Sequence, residues 1–186
     1  MKAQTKTKQT LLDDLQKDLP KQDMKKIKRL SDFEAPFLKE KLLMEGKVEG
    51  EKEYNKHFKE FKKYIALNML EDKTLGMTNE KVDDVWHQFI LFTKPYQNFC
   101  KNIVGTFLHH SPNISSSEGV KEDTENMIET YREYFGDAPE DWRFEEIEDS
   151  WCNSGCSSCG GCGSNTKDAS ACAAGCAGCN GCNSCT

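Results

Sequence analysis

Apolar side chains recur at intervals of three and four residues through most of the chain, the spacing of a helix face, and then stop. Leu11, Leu12, Leu15 and Leu19 form a first short stripe ended by Pro20, and Met24, Ile27 and Leu30 form a second. Phe37, Leu38, Leu42 and Leu43 follow at helical spacing, with Gly46 as the expected stop. Tyr54, Phe58, Phe61, Ile65 and Met69 are separated by three or four residues throughout, which requires a helix and excludes a strand. On that helix Lys56, Lys59, Lys62 and Lys63 read as the solvated side, and His57 reads as a surface residue.

Thr78 is the expected N-cap of the next helix, with Glu80 in its first turn where the positive dipole end favours a carboxylate. Val82, Val85, Trp86, Phe89 and Thr93 line one face of it, while Ile90, Leu91 and Phe92 extend apolar surface around the rest. This pattern predicts the central, most buried helix of the domain. Pro95 fits the first turn of a new helix capped from Thr93 or Lys94. Tyr96, Phe99, Cys100, Ile103, Val104, Phe107 and Leu108 then predict one continuous helix ended by Ser111 and Pro112, with a polar loop from Asn113 to Gly119. Met127, Ile128, Tyr131, Tyr134 and Phe135 mark the last full helix, stopped by Gly136.

The expected fold class is therefore all-α: a flexible N-terminus over 1–9, one helical domain over 10–147, and a low-complexity tail over 151–186 lacking regular secondary structure. The 186 residues suffice for one core, and Val, Ile, Leu, Met, Phe and Tyr all cease after Ile147. The net charge of −6 argues against a generally basic nucleic-acid binder. Charge is unevenly placed, with 17 basic and 12 acidic side chains in residues 1–63 against 7 and 18 in residues 64–150. No run of residues has the length and apolarity of a membrane span, and the Lys-rich start lacks the apolar segment of a signal peptide. The expected compartment is the cytoplasm.

The densest chemically capable segment is Val82-Asp83-Asp84-Val85-Trp86-His87-Gln88-Phe89-Ile90, followed by Tyr96, Phe99-Cys100, Gly105 and Phe107-Leu108-His109-His110-Ser111-Pro112. In that order and spacing, this string resembles the glycine-rich domain-containing protein-like family. The resemblance implies a helical domain followed, in many members, by a Gly-rich or Cys-rich tail; it implies no defined activity.

The residues themselves suggest a metal site. Asp83 and His87, four residues apart, share one flank of a helix, and a carboxylate beside an imidazole is half of a zinc site. His109 or His110 is the candidate further ligand. Cys100 is less suited: on one unbroken helix it lies about 14–15 Å from those histidines, with Gly105 the only plausible break, and its place in the apolar stripe reads as a buried thiol. Placed at a helix C-terminus, His109 and His110 would also serve as partners of the dipole and of the last carbonyls.

Nine of the ten cysteines lie in the tail, with seven Gly, six Ser, five Ala and four Asn, and no apolar side chain larger than Ala follows Trp151. Such a segment cannot bury a core, and only cross-links offset the roughly 1–2 kcal/mol that ordering each residue costs. Its cysteines are Cys152, Cys156, Cys159 and Cys162, then Cys172, Cys176, Cys179, Cys182 and Cys185. The spacing C-x3-C-x2-C-x2-C occurs twice across a nine-residue gap, with one further x2-C. Two or three small intervening residues let neighbouring thiolates face one ion, as in structural zinc sites. Disulfides compete poorly, since nine is odd and the short spacings close strained rings. A ferredoxin-type cluster is disfavoured by the reversed order of spacings, the absence of Pro and the lack of apolar shielding. The expected cofactor is thus zinc or another soft ion such as copper(I), bound without catalysis. The alternative is a precursor: a helical leader recognised by a modifying enzyme, with a tail that is modified and released as a peptide. No nucleophile elbow, phosphate loop, dinucleotide fingerprint or His-Glu-x-x-His motif is present.

Overall fold

The structure, a computed structural model, describes residues 10–110 and 118–147. The chain divides into two units after Arg143, and the described residues of the second, 144–147, are helical. All regular structure among the described residues is helical, as the all-α expectation requires. The first unit contains α1 (Lys21–Asp32), α2 (Pro36–Met44), α3 (Glu51–Leu70), α4 (Glu80–Leu91), α5 (Thr93–Phe99) and α6 (Glu118–Phe135). A 3-10 turn at Leu12–Asp14 precedes α1, a π-helical turn at Cys100–Val104 prolongs α5, and a second 3-10 turn follows at Glu140–Trp142. Among the described residues no helix is long and apolar enough to cross a membrane. The tail expected to lack regular structure lies outside the described residues.

The central helix is α3 rather than α4. It packs against α1, α2, α4 and α6, and from Phe58 to Leu67 every side chain except Lys59 is buried. Phe61 and Phe99 meet Phe89 of α4, and Phe33 stacks between Phe58, Phe89 and Phe99 with ring centroids 4.7–6.1 Å apart. Covered in this way beyond its first turns, the helix buries two of its five lysines. Lys62 Nζ donates to the Ser31 carbonyl at 2.8 Å, and Lys63 Nζ donates to Tyr131 Oη at 3.0 Å. Their aliphatic stems lie in the core while each ammonium finds an acceptor. His57 is likewise buried, with Nε2 3.4 Å from Glu53 Oε1. Period alone marks the apolar face of a helix; whether the opposite face is also covered depends on other elements.

Lys63 belongs to a buried polar network that no motif announces. Glu60 Oε1 lies 3.0 Å from Lys63 Nζ, and Glu60 Oε2 accepts from Tyr131 Oη at 2.7 Å and Trp142 Nε1 at 2.8 Å. Asp14 sits on the same side, 2.6 Å from Lys59 and 3.8 Å from Lys63. The network joins the 3-10 turn, α3, α6 and the fully buried Trp142.

Element ends follow local chemistry in most places. Gly46, at φ +66°, ends α2 with its N–H on the Leu43 carbonyl and that of Lys47 on the Leu42 carbonyl, the paired bonds of a Schellman motif. Gly136, at φ +75°, ends α6. Four expectations fail, the first at α5, whose N-cap is Phe92 rather than Thr93 or Lys94. The first leucine stripe forms only the 3-10 turn at Leu12–Asp14, because the backbone N–H of Gln16 pairs with the Tyr134 carbonyl of α6 at 2.8 Å instead of continuing a helix. The N-cap of α4 is Asn79, whose Oδ1 accepts from the N–H groups of Lys81 and Val82, while Thr78 Oγ1 donates to the Trp142 carbonyl. The stripe from Tyr96 to Leu108 is not one helix: it leaves helical geometry at Gly105, and Phe107 beyond it is half exposed.

All five tyrosines, at 54, 64, 96, 131 and 134, are buried. Burial is the main reason that each phenol is pushed above its usual range, Tyr64 up to about 12 and Tyr131 further still beside Glu60. An unfolded phenol ionises near about 10, so the folded chain holds these protons more tightly. The phenols' contribution to stability is therefore fully present below about pH 10 and is lost as pH rises past it, by up to about 1.4 kcal/mol per pH unit for each phenol. In an alkaline titration, phenolate absorbance is expected to rise together with the loss of helical circular dichroism. Phenolate appearing near pH 10 in a protein that stays helical would contradict this burial.

Candidate metal centre

Helix α4 presents Asp83 and His87 one turn apart on the flank beside its buried face, which carries Val82, Val85, Trp86 and Phe89. His87 Nδ1 lies 3.5 Å from Asp83 Oδ2. The third member, His110, comes from beyond α5 and is carried back by a chain reversal. The π-helical turn closes with the Gly105 N–H on the Cys100 carbonyl at 2.8 Å, and Gly105 itself adopts φ +97°. That conformation is open to glycine and strained for residues with a Cβ. The chain then returns alongside α4, held there by a relay of hydrogen bonds: Trp86 Nε1 donates to Tyr96 Oη at 3.0 Å, and Tyr96 Oη donates to the Leu108 carbonyl at 2.6 Å.

The reversal places His110 Nε2 2.7 Å from Asp83 Oδ1. Its ring meets Trp86 edge-on with centroids 4.4 Å apart, and meets His87 at 4.4 Å. Asp83, His87 and His110 can thus each offer one ligand atom, all within 4.8 Å of one another. The cluster has an inner wall and an open side: His110 keeps 10% of its side-chain surface and His87 52%. Two imidazoles and one carboxylate suit zinc and its neighbours in the first transition row better than magnesium or calcium.

His109 does not join them. It is exposed, and its ring lies against Phe107 with centroids 4.8 Å apart. Neither histidine sits at a helix C-terminus, because the helical stretch has already ended at Val104. Cys100 is a buried free thiol in the core, as its place in the apolar stripe suggests. The nine tail cysteines lie outside the described residues. The parts that the residue pattern does not single out as positioning groups are Tyr96 and Leu108; the signal available in the sequence is Gly105, the one residue of the stripe able to reverse the chain.

A family model described as UCP032817-like matches residues 10–142, from the first 3-10 turn to Trp142. The chain belongs to the UCP032817-like family. The match spans the whole Asp83, His87 and His110 cluster, and it ends at the Trp142 that anchors the Glu60 network of this UCP032817-like domain. No curated protein and no solved structure matches the chain.

Proposed function

We propose that this chain is a non-catalytic metal-binding protein, in which the UCP032817-like helical domain carries a thiolate-rich tail for a soft ion, zinc or copper(I). The observation that carries this reading is the repeated C-x3-C-x2-C-x2-C spacing of Cys152 to Cys162 and Cys172 to Cys182, with Cys185 beyond. Four thiolates complete one tetrahedral ion, so each repeat supplies one full ligand set. The tail has a single cation, Lys167, so bound metal is the main balance for several thiolate charges. The motif from Asp83 through Trp86-His87 to Pro112 supports placing the domain near the glycine-rich domain-containing protein-like family, in which a Cys-rich tail behind a helical domain is expected. A reducing compartment such as the cytoplasm suits free thiolates.

The test is the native mass of freshly purified protein. The expected result is at least two zinc ions per chain, released on acidification because only thiolates are good ligands. Replacing Cys152, Cys156, Cys159 and Cys162 by Ser is expected to remove about half of the tail-bound metal, since each four-thiolate set holds its own ion. All nine tail thiols reacting freely with a thiol reagent in the zinc-loaded protein would overturn the proposal. The Ser, Gly and Asn content between the cysteines favours one other reading, a leader whose tail is modified by a partner enzyme and released. Water losses, internal cross-links or a shortened C-terminus in the same mass spectrum would establish that reading instead.

A further inference from the structure

We propose that Asp83, His87 and His110 form a second metal site, chemically unlike the tail, that holds one zinc-class divalent ion with a coordination position open to solvent. The proposal stands on the cluster's own geometry and does not depend on the tail binding anything.

Three features point to an ion rather than to a surface ion pair alone. The first is ligand spacing. In a tetrahedral site with bonds of about 2.0–2.1 Å, ligand atoms lie about 3.3 Å apart. Here His110 Nε2 stands 2.7 Å from Asp83 Oδ1 and His87 Nδ1 3.5 Å from Asp83 Oδ2, and one donor atom from each residue lies within 4.8 Å of the other two. These spacings bracket the tetrahedral value, so small adjustments of the side chains suffice to bring the donors to one centre.

The second feature is preorganisation. His110 has no helix to hold it, yet its ring is fixed from within by Trp86, and its backbone by the Trp86, Tyr96 and Leu108 relay. Asp83 and His87 are fixed by α4, capped by Asn79. The three donors thus come from two separately anchored segments, an arrangement that lowers the ordering cost of binding.

The third feature is the donor set with its asymmetry. Two imidazoles and one carboxylate leave a four-coordinate ion one vacant position, as in metal sites that keep a water. Trp86 closes the inner side and His87 is half exposed, so that position faces solvent. The domain site would then carry an exchangeable water, whereas four thiolates in the tail would close their ion completely. Nitrogen and oxygen donors also prefer zinc, cobalt(II) or nickel(II) over copper(I), the reverse of a thiolate set.

The experiment uses the full chain with its nine tail cysteines replaced by Ser, so that any ion taken up belongs to the domain. Calorimetric titration with zinc is expected to show one ion per chain, and titration with magnesium no heat above dilution. In nuclear magnetic resonance spectra, zinc is expected to shift the imidazole signals of His87 and His110 while leaving those of the buried His57 in place. In this background His87→Ala is expected to weaken zinc binding by about 100-fold or more, because losing even the hydrogen-bond partner of a ligand costs about 10–100-fold. Asp83→Asn keeps a hydrogen-bonding group beside His110 but removes the anionic donor, and is expected to weaken binding similarly while the spectrum stays that of a folded protein. No zinc uptake by the chain without its tail cysteines would overturn the proposal, as would unchanged affinity in His87→Ala or shifts centred on His109 or His57. None of these results depends on whether the wild-type tail binds metal.

Discussion

Replacing Glu60 by Ala is expected to destabilise the domain by about 3–5 kcal/mol, the range for removing one partner of a buried charged pair. The carboxylate is 5% exposed and spends both oxygens inside the protein, one on Lys63 and the other on Tyr131 and Trp142. Without it, the buried Lys63 ammonium loses its 3.0 Å partner and the Trp142 indole N–H loses its acceptor, while water has no easy route to replace either. Chemical denaturation monitored by helical circular dichroism measures the loss directly. Glu60→Gln keeps the volume and an acceptor for the indole, so it is expected to cost less than Glu60→Ala but still to destabilise, because Lys63 loses its nearer carboxylate and keeps Asp14 at 3.8 Å. A loss below about 1 kcal/mol for Glu60→Ala, the size typical of a surface ion pair, would show that the network is solvated.

Trp86→Ala is expected to be comparably damaging, at about 3–5 kcal/mol, through the cavity it leaves. Trp86 is 5% exposed, packs on Tyr64 at 5.4 Å and on His110 at 4.4 Å, and donates its indole N–H to Tyr96. Its neighbour His87 is half exposed, so in metal-free protein His87→Ala is expected to change stability by no more than about 0.5 kcal/mol. The contrast between adjacent residues is the useful measurement: equal losses from both would show that His87 contributes to the core. Trp86→Phe retains most of the ring packing but withdraws the donor from Tyr96, and is expected to fall between the two. Thermal melts of the three variants, taken with a chelator present, provide the comparison.

Helices α3 and α6 are legible in the residue pattern because their apolar side chains repeat with the helical period over many turns, and that period is a property of the local backbone. The ends at Gly46 and Gly136 are legible for a similar reason: a left-handed backbone position favours glycine wherever it occurs. The pairing of Asp83 with His87 is also local, since four residues make one turn of α4.

What the tertiary structure decides is which faces are covered and which distant residues meet. Lys62, Lys63 and His57 lie where a helix packed on one side would be solvated, and only the packing of other helices around α3 buries them. Asn79 rather than Thr78 caps α4 because the Thr78 hydroxyl is taken by the Trp142 carbonyl, 64 positions away in the chain. His110 reaches Asp83 across 27 positions, only because Gly105 reverses the chain and the hydrogen bond from Tyr96 to the Leu108 carbonyl holds the return. By itself the sequence determined α3 and α6, the glycine stops at Gly46 and Gly136 and the pairing of Asp83 with His87, since each rests on interactions within a few residues. The place of His110 beside Asp83 and the buried charges depend on contacts between segments remote in the chain, which no local period encodes.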